Sequence, residues 1–110
     1  PVALEQIVHN LVMNALQALE QVPVGERRLT LQLRTEAALG ELDVQDTGPG
    51  FAPDLLQRLF QPFVTTRSQG LGLGLSLCET LTVNMGGTLT ASNRTPRGAS
   101  LRLRLPLDAA

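Results

Sequence analysis

Leu4, Ile7, Val8, Leu11, Val12, Ala15, Leu16 and Leu19 recur at spacings of three and four, one broad apolar face of a helix running to Glu20 or Gln21. Pro23 and Gly25 stop it. The period then changes to two. Leu29-Thr30-Leu31-Gln32-Leu33-Arg34 alternates apolar with polar, as a strand with one buried face does. After a turn over 35–40, Glu41-Leu42-Asp43-Val44-Gln45 alternates again, so the two segments predict an antiparallel hairpin. From Asp46 to Gly74 the periodicity lapses, with at most a short helix near Pro53–Leu59. A loop region that long in a compact domain is usually functional or mobile. A second helix is expected over Leu73–Met85, ended at Gly86-Gly87. Thr88–Ser92 reads as a third strand, 93–98 as a turn, and Ser100–Leu105 as a fourth strand closed by Pro106. Each strand has one apolar side, so helices should cover one face of a sheet and solvent or another domain the other, a two-layer α/β sandwich.

Length adds that this is one domain: 110 residues bury a real but modest core. The composition, 43% hydrophobic and 17% charged, is that of a globular chain. Net charge is −1 and the nine basic residues form no long run, which argues against nucleic-acid binding through bulk charge but leaves room for a small anionic ligand. No apolar stretch approaches membrane-spanning length and nothing resembles a signal peptide. Cys78, the single cysteine, is expected to be a core thiol in a reducing interior. The chain enters helical periodicity at once, without an initiator Met, and so reads as one domain, 1–110, of something longer.

Chemistry-bearing residues fall in four places. Gly70-Leu71-Gly72-Leu73-Gly74 leads into the second helix; a glycine-rich loop feeding a helix start leaves N–H groups pointing outward, either an anion site or simply a tight turn. Asn10 and Asn14 share one side of the first helix, with Gln17 beside them; an amide oxygen there suits a hard cation such as Mg²⁺, or the residues merely face solvent. Asp46 ends a strand and precedes Thr47-Gly48-Pro49-Gly50; its carboxylate is placed either to accept from an amino group such as that of adenine or to form an Asx-turn. Phe60-Gln61-Pro62-Phe63-Val64-Thr65-Thr66-Arg67 brackets a proline with aromatics and ends in hydroxyls and a cation that suits phosphate. His9, the only histidine, lies beside the apolar stripe and reads as structural. No Cys/His cluster has metal-ligand spacing, and no Ser-His-Asp constellation with a nucleophile elbow is present.

In this order the elements resemble the ATP-binding domain of sensor histidine kinases, within the superfamily that includes gyrase, Hsp90 and MutL. Leu11–Ala18 looks like the N box, Asp46–Gly50 the first glycine box, Phe60–Phe63 the F box, Gly70–Gly74 the second glycine box, and Gly98–Pro106 the closing box and strand. The resemblance implies the Bergerat fold, with a mixed, mostly antiparallel sheet covered on one face by helices. It implies ATP and Mg²⁺ as ligands, with Asn14 on the metal and Asn10 at the other polar position. Asp46 would read the adenine amino group, Gly48 and Gly50 would shape the base pocket, and Phe63, Thr66, Arg67, Gly70, Leu71, Gly72, Leu73 and Gly74 would complete the nucleotide site under a lid of about 51–71. The implied partners are a histidine-bearing dimerisation domain of the same protein and, indirectly, a response regulator receiver domain. They go with a homodimeric parent whose ATP domain is cytoplasmic, with no nucleic acid.

This sequence also departs from the family pattern. Arg67 stands where a Lys is common, and Ala99 where a Thr is frequent, which puts one water-mediated base contact in doubt. Asn10 occupies the position where hydrolytic relatives carry a Glu, and a neutral amide is a poor general base. The expectation is therefore transfer of the γ-phosphoryl group to a histidine on another domain, the isolated segment binding nucleotide but catalysing nothing alone. A nucleotide-dependent clamp or degenerate regulator is the alternative, with the serine-kinase branch ranked lower. A strand that normally precedes the first helix is also expected to lie outside the sequence.

Overall fold

The computed structural model describes residues 2–61 and 74–107. In chain order it contains helix α1 (Val2–Leu19), a 3₁₀ turn (Val24–Glu26), strands β1 (Leu29–Glu36) and β2 (Leu39–Asp46), the short helix α2 (Pro53–Gln57), helix α3 (Gly74–Asn84), and strands β3 (Thr88–Asn93) and β4 (Ala99–Pro106). The strands form one sheet in the order β1-β2-β4-β3, and all three pairings are antiparallel. The expected parallel component of a mixed sheet is not found among the described residues.

The core sits where the apolar stripe of α1 meets one face of this sheet. Ile7, Leu11 and Ala15 pack with Val44 of β2, Leu101 and Leu103 of β4, Leu89 of β3 and Cys78 of α3. Burying such side chains contributes roughly 1.5–3 kcal/mol each. Thr82 is fully buried in α3, and its hydroxyl donates to the Cys78 carbonyl at 2.7 Å, which removes the cost of an unsatisfied group. Gly86 ends α3 at φ +82°, letting the N–H of Gly86 reach Val83 and that of Gly87 reach Thr82 at 2.9 Å each, a Schellman cap at the glycine pair where the sequence predicted the helix to end.

Two sequence readings need correction. The hairpin turn is Ala37-Ala38 alone rather than 35–40, because Thr35↔Gly40 and Glu36↔Leu39 continue the ladder; Ala37 takes φ 54° to close it. The apolar side of β1 is not buried: Leu31 and Leu33 are 52% and 76% exposed. They share a face with Val44 and Leu42, but β1 is the sheet edge and α1 packs over β2 and against α3.

The opposite face of the sheet is polar and ion-paired. Glu41 meets Arg104 at 2.8 Å, Arg34 at 3.4 Å and Arg102 at 3.8 Å. Asp43 is buried there, accepting from Ser100 at 2.5 Å and from Arg102 and Gln45 at 3.1 Å each. Helices on one side and a solvated charge lattice on the other make the expected two layers. Among the described residues no helix is long and apolar enough to cross a membrane.

Candidate functional site

One cross-strand row organises the site. Leu29, Asp46, Ala99 and Asn93 are register partners on neighbouring strands and therefore share the helix-side face at one end of the sheet. Over this row opens a hollow. Asp46 and Ala99 form its sheet side, Asn14 and Ala18 reach it from α1 at a spacing of four, and Gln21 reaches it from the turn after α1. Pro49, Gly50 and Phe51 of the loop after β2 close it. Residues from the first helix, a strand end and a glycine loop, remote in sequence, thus meet around one cavity.

Asp46 is only 2% exposed, and its Oδ1 accepts the Gly48 N–H at 2.8 Å. The Asx-turn that the sequence allowed is formed, and its bond orients a side chain that borders the hollow. Gly48 is tightly enclosed, since a Cβ would lie 2.9 Å from both the Ala18 Cβ and Asp46 Oδ1. Thr47 anchors the loop from behind; its hydroxyl donates to the Glu26 carbonyl at 2.8 Å and accepts the Arg28 N–H at 2.9 Å. At the far end Gly50 takes φ +77°, and a Cβ there would meet Asn93 Oδ1 at 2.9 Å.

The structure separates the two asparagines of α1. Asn14 is buried and lines the hollow. Asn10 is half-buried one turn earlier and hydrogen-bonds the Cys78 thiol, between α1 and α3. Burial pushes the Cys78 thiol above its ordinary pKa, with the Asn10 bond opposing, so this is the inert core thiol expected. Gly48 lies against α1 rather than among the lining residues. Gly74 opens α3, and among the described residues nothing lies within 4 Å of a Cβ there. Phe60 packs against the core. Phe63, Thr66, Arg67, Gly70, Leu71, Gly72 and Leu73, with most of the expected lid, lie outside the described residues.

Sequence reasoning gave no role to Ala18 and Gln21, although they continue the helical spacing from Asn14. Pro49 it placed only within the first glycine box, and Phe51 at the start of the lid rather than in the wall of the hollow. Asn93 and Arg94 carried no signal at all, because only the β3–β4 register brings them to the loop. Among the described residues no group of three His, Cys, Asp or Glu is placed to hold a metal. A hard cation here fits the other common pattern for Mg²⁺, few protein oxygens completed by phosphate and water, and the buried Asn14 amide supplies such an oxygen.

Residues 1–109 match the family described as histidine kinase-, DNA gyrase B-, and HSP90-like ATPases. The two-component sensor PprA of Pseudomonas aeruginosa is 46% identical over 111 residues, covering 96% of this chain and 12% of that protein. The sensor protein FixL of Bradyrhizobium diazoefficiens is 38% identical over 107 residues, covering 96% of this chain and 21% of that protein. Among solved structures, full-length ShkA in complex with AMPPNP superposes with a TM-score of 0.81 at 31% identity, covering 98% of this chain and 22% of that one. The catalytic domain of histidine kinase ThkA gives 0.80 at 28% identity, covering 96% and 66%. The chain belongs to the histidine kinase-, DNA gyrase B- and HSP90-like ATPase family. Its fold and the order of its motifs are those of the ATP-binding catalytic domain of sensor histidine kinases, and it spans between about an eighth and a fifth of those two curated relatives.

Proposed function

We propose that this chain binds Mg²⁺·ATP in the hollow between α1 and the β2 end and presents the γ-phosphoryl group to a histidine on a separate dimerisation domain of the same protein. The observation that carries the reading is that Asn14, Asp46 and Gly50 border a single cavity. In this reading the Asp46 carboxylate, held by the Gly48 N–H, accepts from the adenine amino group, and Gly50 and Phe51 wall the base. Asn14 holds the Mg²⁺, which when bound neutralises phosphate charge. Arg67, Thr66 and the Gly70–Gly74 amides complete the phosphate contacts, with Phe63 and Leu71 in the lid. Phosphoryl transfer asks chiefly for such positioning and charge neutralisation.

Transfer to a protein nucleophile is favoured over hydrolysis by Asn10. It is a neutral amide engaged with the Cys78 thiol, so neither its chemistry nor its placement suits a base that activates water. The whole protein is then a homodimeric sensor kinase with its ATP domain in the cytoplasm, and the phosphohistidine supplies a response regulator receiver domain. Calorimetric titration with Mg²⁺·ADP tests the pocket: binding by the native chain and its loss in Asp46→Ala are expected. Unchanged affinity in that variant refutes the assignment. Adding labelled ATP and a histidine-bearing dimerisation domain tests the transfer, which predicts label on that domain.

A further inference from the structure

Asn93, the last residue of β3, uses its side-chain amide as a surrogate peptide group. Its Oδ1 accepts the Phe51 N–H at 2.8 Å and its Nδ2 donates to the Phe51 carbonyl at 2.7 Å. The next residue grips the same loop at its other end: Arg94 Nη1 donates to the Asp46 carbonyl at 3.3 Å, while the Arg94 N–H is tied to the Gly98 carbonyl at 2.8 Å. Asp46 and Phe51, first and last residues of the loop segment that borders the hollow, are thus both held from the β3–β4 turn. Gly50 takes part by omission, because any Cβ there would press on Asn93 Oδ1.

We propose that Asn93 is a positioning residue for the nucleotide pocket, fixing the Gly50–Phe51 wall at the distance from Asp46 that a purine requires. The proposal rests on the reading of the hollow as a purine site. Only an amide side chain offers a donor and an acceptor side by side, matching the two polar groups of one backbone residue; a carboxylate offers acceptors alone. Asn93 stands in the same cross-strand row as Asp46, with Ala99 between them, so one rigid strip of sheet carries both the base-reading carboxylate and the clamp on the facing wall. A wall fixed in advance does not have to be ordered when ligand arrives, which favours affinity.

The test measures Mg²⁺·ADP affinity by calorimetry, stability by urea unfolding, and amide exchange by NMR, on the native chain, Asn93→Ala and the isosteric Asn93→Asp. Faster exchange at the Phe51 N–H is expected in Asn93→Ala, whereas Asn93→Asp still accepts that N–H but sets a carboxylate against the Phe51 carbonyl; in both variants ADP binding weaker by about tenfold is expected, with Leu101 and Leu103 still protected. Asn93→Asp carries the test if Asn93→Ala does not fold. Faster Phe51 exchange, or a lower urea midpoint, with ADP affinity within about twofold of native would make the contact merely structural and overturn the proposal. Failure of the native chain to bind Mg²⁺·ADP would overturn the purine reading itself, and this inference with it.

Discussion

Gly98 and Asp46 are in backbone contact: a Cβ at position 98 would overlap the Asp46 carbonyl oxygen, and Gly98 adopts φ +106°. The β3–β4 turn therefore approaches the Asp46 end of β2 only because residue 98 lacks a side chain. Gly98→Ala combines left-handed strain with a backbone overlap that no rotamer relieves, so a loss of about 3 kcal/mol in urea unfolding is expected. Gly86→Ala is the comparison. That glycine has φ +82°, yet among the described residues its Cβ would meet only Pro106 Cγ at 3.5 Å, so the cost should be about 1 kcal/mol. Equal losses would show that close approach to Asp46 is not what position 98 demands.

Leu33 separates what an alternating pattern states from what it leaves out. Its alternation with Thr30, Gln32 and Arg34 placed strand β1 and its two faces, but not the fact that helix α1 stops short of the sheet edge. Leu33→Thr should shift unfolding by no more than about 0.5 kcal/mol, since Leu33 is 76% exposed and Thr suits a strand. Leu103→Ala, at 2% exposure in the core of β4, should cost about 2–5 kcal/mol. A large loss at Leu33 would mean that the β1 face is covered in the folded chain.

The same contrast runs through the site. Asn14 and Asp46 were legible because helical spacing, a strand end and a following glycine cluster each constrain local chemistry. Asn93, Arg94 and Ala99 were not legible as a unit, because their meeting with Asp46 and Phe51 depends on which strand pairs with which, and no local propensity encodes that. Asn10 differs from Asn14 for a related reason. Its spacing from Asn14 placed both on one side of α1, but whether that side meets a cavity or α3 changes within one turn.

Asp43 sets the acid response of the sheet. Burial alone would raise its pKa, but hydrogen bonds from Ser100, Arg102 and Gln45 outweigh burial and hold the carboxyl below its ordinary value. Glu41 is lowered in the same direction, first by its bond to Arg104 and also by Arg102 and Arg34. A depressed folded pKa gives stability that is complete above the unfolded value of about 3.9 for Asp and is lost as pH falls through the lower folded one. Unfolding free energy should therefore decline below about pH 4, and Asp43→Asn should flatten that decline while costing about 1–3 kcal/mol at neutral pH. Parallel pH curves for the variant and the native chain would remove Asp43 as the source.

Asn14 is the residue on which the proposed metal site turns, and magnesium removal isolates it from the base pocket. Mg²⁺ keeps most of its ligands as water and phosphate oxygens, so a single protein oxygen is enough to couple metal to nucleotide without a carboxylate cage. If the Asn14 amide is that oxygen, ADP affinity in the native chain should tighten on adding Mg²⁺, and chelation should reverse it. Asn14→Ala should then bind metal-free ADP about as the native chain does, because Asp46 and the Gly50–Phe51 wall are untouched, yet gain little from Mg²⁺. Paired calorimetric titrations with Mg²⁺ and with chelator give the ratio directly. A variant that keeps the full Mg²⁺ enhancement would place the metal away from α1, whereas one that loses metal-free affinity as well would mean that Asn14 contacts the nucleotide itself.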